Sequence, residues 1–256
     1  VSTHHQPERG GALLSIHPDA HAASRAVAHG FAERASRAVG EHGRFAVALT
    51  GGSGPVKAYD LLADDPFRSC IPWNEVHLFW GDERCVPPGH ERSNYRMASE
   101  AFIHHVPIPP ENVHRMRGEL PPEEGAARYA EELAAFFGSG VPRFDLVHLG
   151  VGPDAHVASL FPFSEPLRER DRTVTTNLHR PLGEPRITLT LPVLNAAARV
   201  EVIVIGRSKA DVAWTVLRGP LDPYRFPAQL VRPKDGELAW MMDADAAARL
   251  DPHPLA

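Results

Sequence analysis

Apolar and polar positions fall along the chain in blocks that suit helices and strands by turns. Residues 20–39 carry Ala, Val and Phe at helical spacing and predict an amphipathic helix. "GRFAVALTGGSGP" then predicts a short apolar strand, followed by glycines and a proline able to open the next helix. The order repeats: "EVHLFWGDERCVPP" reads as a strand with a polar end, residues 93–103 as a helix, and residues 122–137 as an amphipathic helix. "FDLVHLGVGPDAHVASLFP", residues 144–162, reads as an apolar strand that runs through a tight polar turn into a helix. Later strands are predicted at 186–191 ("RITLTL"), at 200–206 ("VEVIVIG") and in "GELAWMM", with a helix at 208–217.

Strands alternating with helices predict an α/β fold with a mostly parallel sheet covered by helices on both faces. In such sheets the ligand site lies beyond the C-terminal ends of the strands. Three polar loops leave strand ends here, at 50–55, 81–88 and 150–156, so the site is expected where they meet. No repeat or interdomain linker breaks the pattern, and 256 residues suit one domain, 1–256. The stretch "VSTHHQPERG" carries no element signal and is expected to fray; order across residues 1–15 is left open.

Composition narrows the partners. A formal charge of −5, with no Lys/Arg block, offers no footprint for nucleic acid or an anionic membrane, so a small molecule is expected. Cys70 and Cys85 form no Cys-x-x-Cys pattern, which fits a reducing, cytoplasmic setting. No apolar run of membrane-spanning length and no secretory-signal pattern occurs. The histidines form neither H-E-x-x-H nor a zinc spacing, and adjacent His104 and His105 would point to different faces, so no metal is expected. A serine-triad hydrolase lacks its G-x-S-x-G elbow. Oligomeric state is not legible.

Four stretches carry candidate chemistry. In "LTGGSGP", Gly51, Gly52 and Ser53 precede a predicted helix whose unpaired N–H groups suit an anion, although a plain turn uses similar residues. Asp82, Glu83 and Arg84 follow a strand directly, and either line a cleft or form a solvated strand end. In the "PDAH" turn, His156 is expected at a helix start, where the dipole keeps the imidazole neutral and able to act as a base. Asp154 either caps that helix or orients His156. Lys209, in "GRSKADV", falls in the first turn of a helix, a position the dipole disfavours unless an anion binds there. Arg186 opens "RITLTLP" at the N-terminal side of its strand, and its role is harder to place.

Together these pieces resemble the 6-phosphogluconolactonase family. The likeness rests on "LTGGSGP", "GDERCVP" with "RSNYRM", "FDLVHLGVGPDAHVASLFP", "RITLTLPVLNAA", "GRSKADV" and "PAQLVRPKDGELAWMMDADAA", in family order. It implies a Rossmann-like fold shared with sugar-phosphate isomerases and deaminases, and hydrolysis of 6-phosphoglucono-1,5-lactone without metal or organic cofactor. It further implies His156 as the base that activates water, and Arg84 as an oxyanion and anchoring cation. Gly51, Gly52, Ser53, Arg186 and Lys209 become phosphate and sugar contacts, with Asp82 and Asp154 as orienting groups.

The chain departs from the family pattern in having Ala155 for glycine, Val157 for threonine, and Gly54 for the threonine of "GGSTP". A left-handed Ala155 would cost about 1–2 kcal/mol. Two rival readings follow: an isomerase or deaminase of amino-sugar phosphates, which shares the glycine loop, and a sugar-phosphate-binding protein without turnover.

Overall fold

The computed structural model describes residues 11–178 and 183–250. The chain opens with β1 (Leu13–His17), α1 (Ala20–His42), β2 (Phe45–Leu49), α2 (Ser53–Leu62), α3 (Phe67–Cys70) and β3 (Val76–Trp80). It continues through β4 (Asp82–Arg84), α4 (Asn94–Ala101), α5 (Pro122–Phe137), β5 (Leu146–Gly150), β6 (Val174–Asn177) and β7 (Arg186–Leu189). The last elements are α6 (Leu191–Leu194), β8 (Arg199–Val204), α7 (Ala210–Leu217), β9 (Glu237–Asp243) and α8 (Ala244–Ala247).

Local chemistry sets the helix limits. Asp19 accepts from the Ala22 amide (2.8 Å) to start α1, and left-handed Gly43 ends it by donating to the Val39 carbonyl. The helix therefore runs three residues past its apolar pattern. In α5, Pro122 sits in the first turn beside Glu123 and Glu124, which suit the positive end of the dipole. Ser93 caps α4 by accepting from the Arg96 amide (3.1 Å).

Six strands form one wholly parallel sheet in the order β1-β9-β8-β5-β2-β3. Every residue of β2 is buried, and successive strand residues face opposite ways, so both faces of the sheet are covered. β1 corrects the open reading of the N-terminal end: residues 13–15 belong to a strand in register with β9. Residues 1–10, expected to fray, lie outside the described residues.

"RITLTL" is a strand, but not of the parallel sheet. As β7 it is the middle of a separate antiparallel sheet, β4-β7-β6, with Arg84 paired opposite Arg186. Gly81 joins the two sheets, donating to the Leu49 carbonyl and accepting from the Leu189 amide, both at 2.8 Å. The chain leaves β2 toward β3 on one side, whereas β5, β8 and β9 follow on the other. The crossover reverses between β2 and β5, which is where an open α/β sheet binds its ligand.

Candidate active site

A cavity of about 250 Å³ opens at that reversal point. Gly51, Gly52, Ser53, Asp82, Arg84, His156, Arg186 and Lys209 all line it, so eight of the nine predicted site residues meet there. The ninth, Asp154, stands immediately behind His156.

The imidazole is held by Asp154 and by the Phe161 ring. His156 Nδ1–H donates to Asp154 Oδ1 (2.5 Å), a direction fixed because an ionised carboxylate only accepts. The His156 amide donates to the same oxygen (3.2 Å), and the Phe161 ring lies 4.2 Å from the imidazole centre. Burial pushes the Asp154 carboxyl up, but the hydrogen bond and charge of His156 outweigh it and hold it below the usual aspartate range. With Nδ1 engaged, Nε2 is the basic nitrogen. Gly152 makes room for the pair, since a Cβ there would lie 2.1 Å from His156 Nδ1 and 2.7 Å from Asp154 Oδ1.

Two expectations about this loop are corrected. No helix follows His156: residues 151–163 are irregular, closed by turns and a bridge between Val157 and Leu160. Asp154 therefore caps nothing, and a carboxylate, not a helix dipole, sets the tautomer. The helix pattern loses because the backbone turns left-handed at Ala155 (φ 64°), Ala158 (φ 48°) and Phe163 (φ 59°).

The glycine loop leads into a helix, as the sequence indicates. Ser53 opens α2 after left-handed Gly52 (φ 87°), with no side chain capping the helix, so the Ser53 and Gly54 amides face outward. Gly51 answers a close approach, because a Cβ would fall 1.7 Å from Asn94 Oδ1.

Cations complete the cavity. Arg84 and Arg186 stand opposite each other across an antiparallel pair, and the Nε of each is buried without a partner. Like charges so placed repel, and an anion between them removes both penalties. Burial first, and then Arg84, lower the pKa of Arg186. Arg84 is aimed by its Nη1, which donates to the Arg92 carbonyl (2.6 Å). Lys209 lies in the short turn before α7, and its Nζ donates to the Val151 carbonyl (2.8 Å). Its pKa is lowered by burial, against the opposing charge of Asp154.

Four residues support the site: Glu83, which the sequence marked only as part of the charged strand end, and Asn94, Ser159 and Asp243. Glu83, 2% exposed, accepts from the amides of Arg84, Asn94 and Tyr95 and from Ser93 Oγ, tying β4 to the start of α4. Burial pushes its carboxyl up against those four bonds. Asn94 donates to the Asp82 carbonyl (2.8 Å), while Ser159 Oγ donates to Asp82 Oδ2 (2.6 Å). Asp243 accepts from the Gly206 amide (3.0 Å) and so fixes the turn that carries Lys209.

A wider groove of about 750 Å³ runs past Glu123, Phe163, Glu169 and Arg172 and shares no lining residue with the cavity. Within it Arg172 pairs with Glu169 (2.6 Å). Among the described residues no group of three or more His, Cys, Asp or Glu is placed to hold a metal, and no helix is long and apolar enough to cross a membrane.

The fold and cavity define a Rossmann-like α/β protein with a pocket lined by cations and a glycine loop at its strand reversal. The chain belongs to the family described as glucosamine-6-phosphate isomerases/6-phosphogluconolactonase, whose model matches residues 18–240. It is 40% identical to a 6-phosphogluconolactonase of Synechocystis sp. over 86% of this chain and 90% of that protein. It is 42% identical to one of Nostoc sp. over 83% of this chain and 88% of that protein. The crystal structure of 6-phosphogluconolactonase from Thermotoga maritima superposes with a TM-score of 0.78 at 29% identity, covering 91% of this chain and 99% of that one.

Proposed function

We propose that the protein hydrolyses 6-phosphoglucono-1,5-lactone to 6-phosphogluconate, with His156 as general base. The observation that carries this reading is His156, held by Asp154, in the same cavity as two guanidinium groups whose buried Nε atoms have no partner. A lactone is an activated ester, so a base and preorganised donors suffice without a covalent nucleophile.

In this mechanism His156 Nε2 takes a proton from water as the water oxygen bonds to the lactone carbonyl carbon. Asp154 stabilises the imidazolium through Nδ1. Arg84 offsets the charge on the carbonyl oxygen. When the tetrahedral intermediate collapses, the bond to the ring oxygen breaks, and His156 returns its proton to that oxygen. The product acid then ionises. Arg186, Lys209 and the Gly51–Ser53 amides bind the phosphate and hydroxyls, and Asp82 orients a sugar hydroxyl, so remote binding energy holds C1 at the base.

The test is to add purified protein to freshly made lactone and follow acid release. Acid appears well above the spontaneous rate if the reading holds. No acceleration, with glucosamine-6-phosphate consumed instead, assigns the isomerase or deaminase branch of the family; binding of 6-phosphogluconate without turnover of either assigns a sensor.

A further inference from the structure

Beneath the cradle runs a chain of buried polar side chains that the hydrolytic step does not use. His148 of β5 and Glu201 of β8 are each 1% exposed and are register partners in the parallel sheet. Tyr59 of α2, fully buried, stacks on the His148 ring with centroids 5.8 Å apart. Its hydroxyl accepts from the Thr50 amide (3.2 Å) and lies 3.3 Å from His148 Nδ1. Thr50 Oγ1 in turn accepts from the Gly150 amide (3.2 Å). The residue that begins the glycine cradle is thereby tied both to α2 and to the strand leading to His156.

The direction of each proton follows from the groups available. The Thr50 N–H points at the Tyr59 oxygen, so the phenol proton needs another acceptor, and His148 Nδ1 is the one within reach. Burial raises the Tyr59 pKa, which keeps that proton on the phenol. The His148 hydrogen then sits on Nε2, which lies 3.6 Å from Glu201 Oε2, beyond hydrogen-bond length, and both atoms are buried without a partner. Charge agrees: Arg199 and Arg34 reach Glu201 at 2.7 and 3.7 Å and Glu237 at 2.6 and 3.7 Å. Two guanidinium groups balance two carboxylates, and an imidazolium would add an uncompensated buried charge.

We propose that Tyr59 and His148 are positioning residues for substrate phosphate, a buried relay that orients Thr50 and through it the Gly51–Ser53 amides. The inference rests on the reading of the cavity as a sugar-phosphate site. Tyr59→Phe removes the one oxygen that links loop to relay. KM for the phosphorylated lactone then rises about tenfold with kcat within about twofold, and preference over the same lactone without phosphate falls in step. Unchanged KM, or equal losses on both lactones, overturns the relay while a wild-type preference for phosphate keeps the cavity reading. A wild type indifferent to the phosphate overturns the cavity reading and the relay with it. A second test needs no variant: nitrogen-15 NMR of the wild type gives His148 as the Nε2–H tautomer near neutral pH, and an imidazolium or an Nδ1–H form contradicts the relay.

Discussion

Two loops from neighbouring strands meet at the cavity, and they are built in opposite ways. After β2, the only left-handed residue of the cradle is Gly52, and the loop passes at once into a helix. After β5, the chain takes left-handed geometry at Ala155, Ala158 and Phe163, the three non-glycine residues with positive φ among the described residues. Each costs on the order of 1–2 kcal/mol and persists because its surroundings over-determine it. The Ala155 amide donates to the Gly152 carbonyl and its carbonyl accepts from Ala228, both at 2.9 Å; Asn177 Nδ2 donates to the Ser159 carbonyl (2.9 Å). On the proposed function, the amides that bind the anion come from relaxed backbone at a helix start, whereas the imidazole that would meet a carboxylate on one side and a carbonyl carbon on the other is held by strained backbone.

Substitutions at two positions of the loop after β5 and one of the cradle sharpen the contrast. Gly152→Ala places a methyl 2.1 Å from His156 Nδ1, and kcat/KM falls by about 100-fold while the thermal unfolding midpoint moves little. A Gly152→Ala enzyme of full activity denies that the Asp154–His156 contact matters. Ala155→Gly removes the left-handed penalty and, after the added chain entropy, stabilises the fold by about 1 kcal/mol, read as a higher urea midpoint with kcat held within about twofold. A lower midpoint means that the methyl contributes more by packing than it costs by strain. The smallest effect belongs to the cradle: a Cβ at Gly54 meets nothing closer than the Ile203 carbonyl at 3.5 Å. Gly54→Thr therefore fits, raises stability by about 0.5 kcal/mol and leaves steady-state parameters within about threefold. A large loss there places Gly54 among the residues that must stay bare.

The legible parts of the molecule are those in which one period dominates. β2, β3, β8 and β9 showed as apolar runs, and α5 matched its expected limits because proline and glycine bound it. The antiparallel sheet was misread since four residues of alternating pattern in β7 say nothing about their partners, and partnership alone placed Arg186 opposite Arg84. The helix expected after His156 failed because apolar residues at 157–161 fill the core from an irregular loop. Site residues were legible as polar groups at strand ends. The supporting roles were not, because Glu83, singled out only as part of a charged strand end, and Asn94 and Asp243 act through backbone amides and carbonyls that no side-chain pattern records.

The central claim is that His156 Nε2, freed by the bond from Nδ1 to Asp154, is the base that activates water. The direct measurement is acid release from 6-phosphogluconolactone by wild type and His156→Asn across a pH series, with binding of 6-phosphogluconate measured on both. The account predicts that His156→Asn loses about 10²–10⁴-fold in kcat, loses the acid-side fall in activity that imidazole protonation causes in the wild type, and binds product within a fewfold of wild type. A His156→Asn enzyme that keeps wild-type kcat with the same pH profile contradicts it.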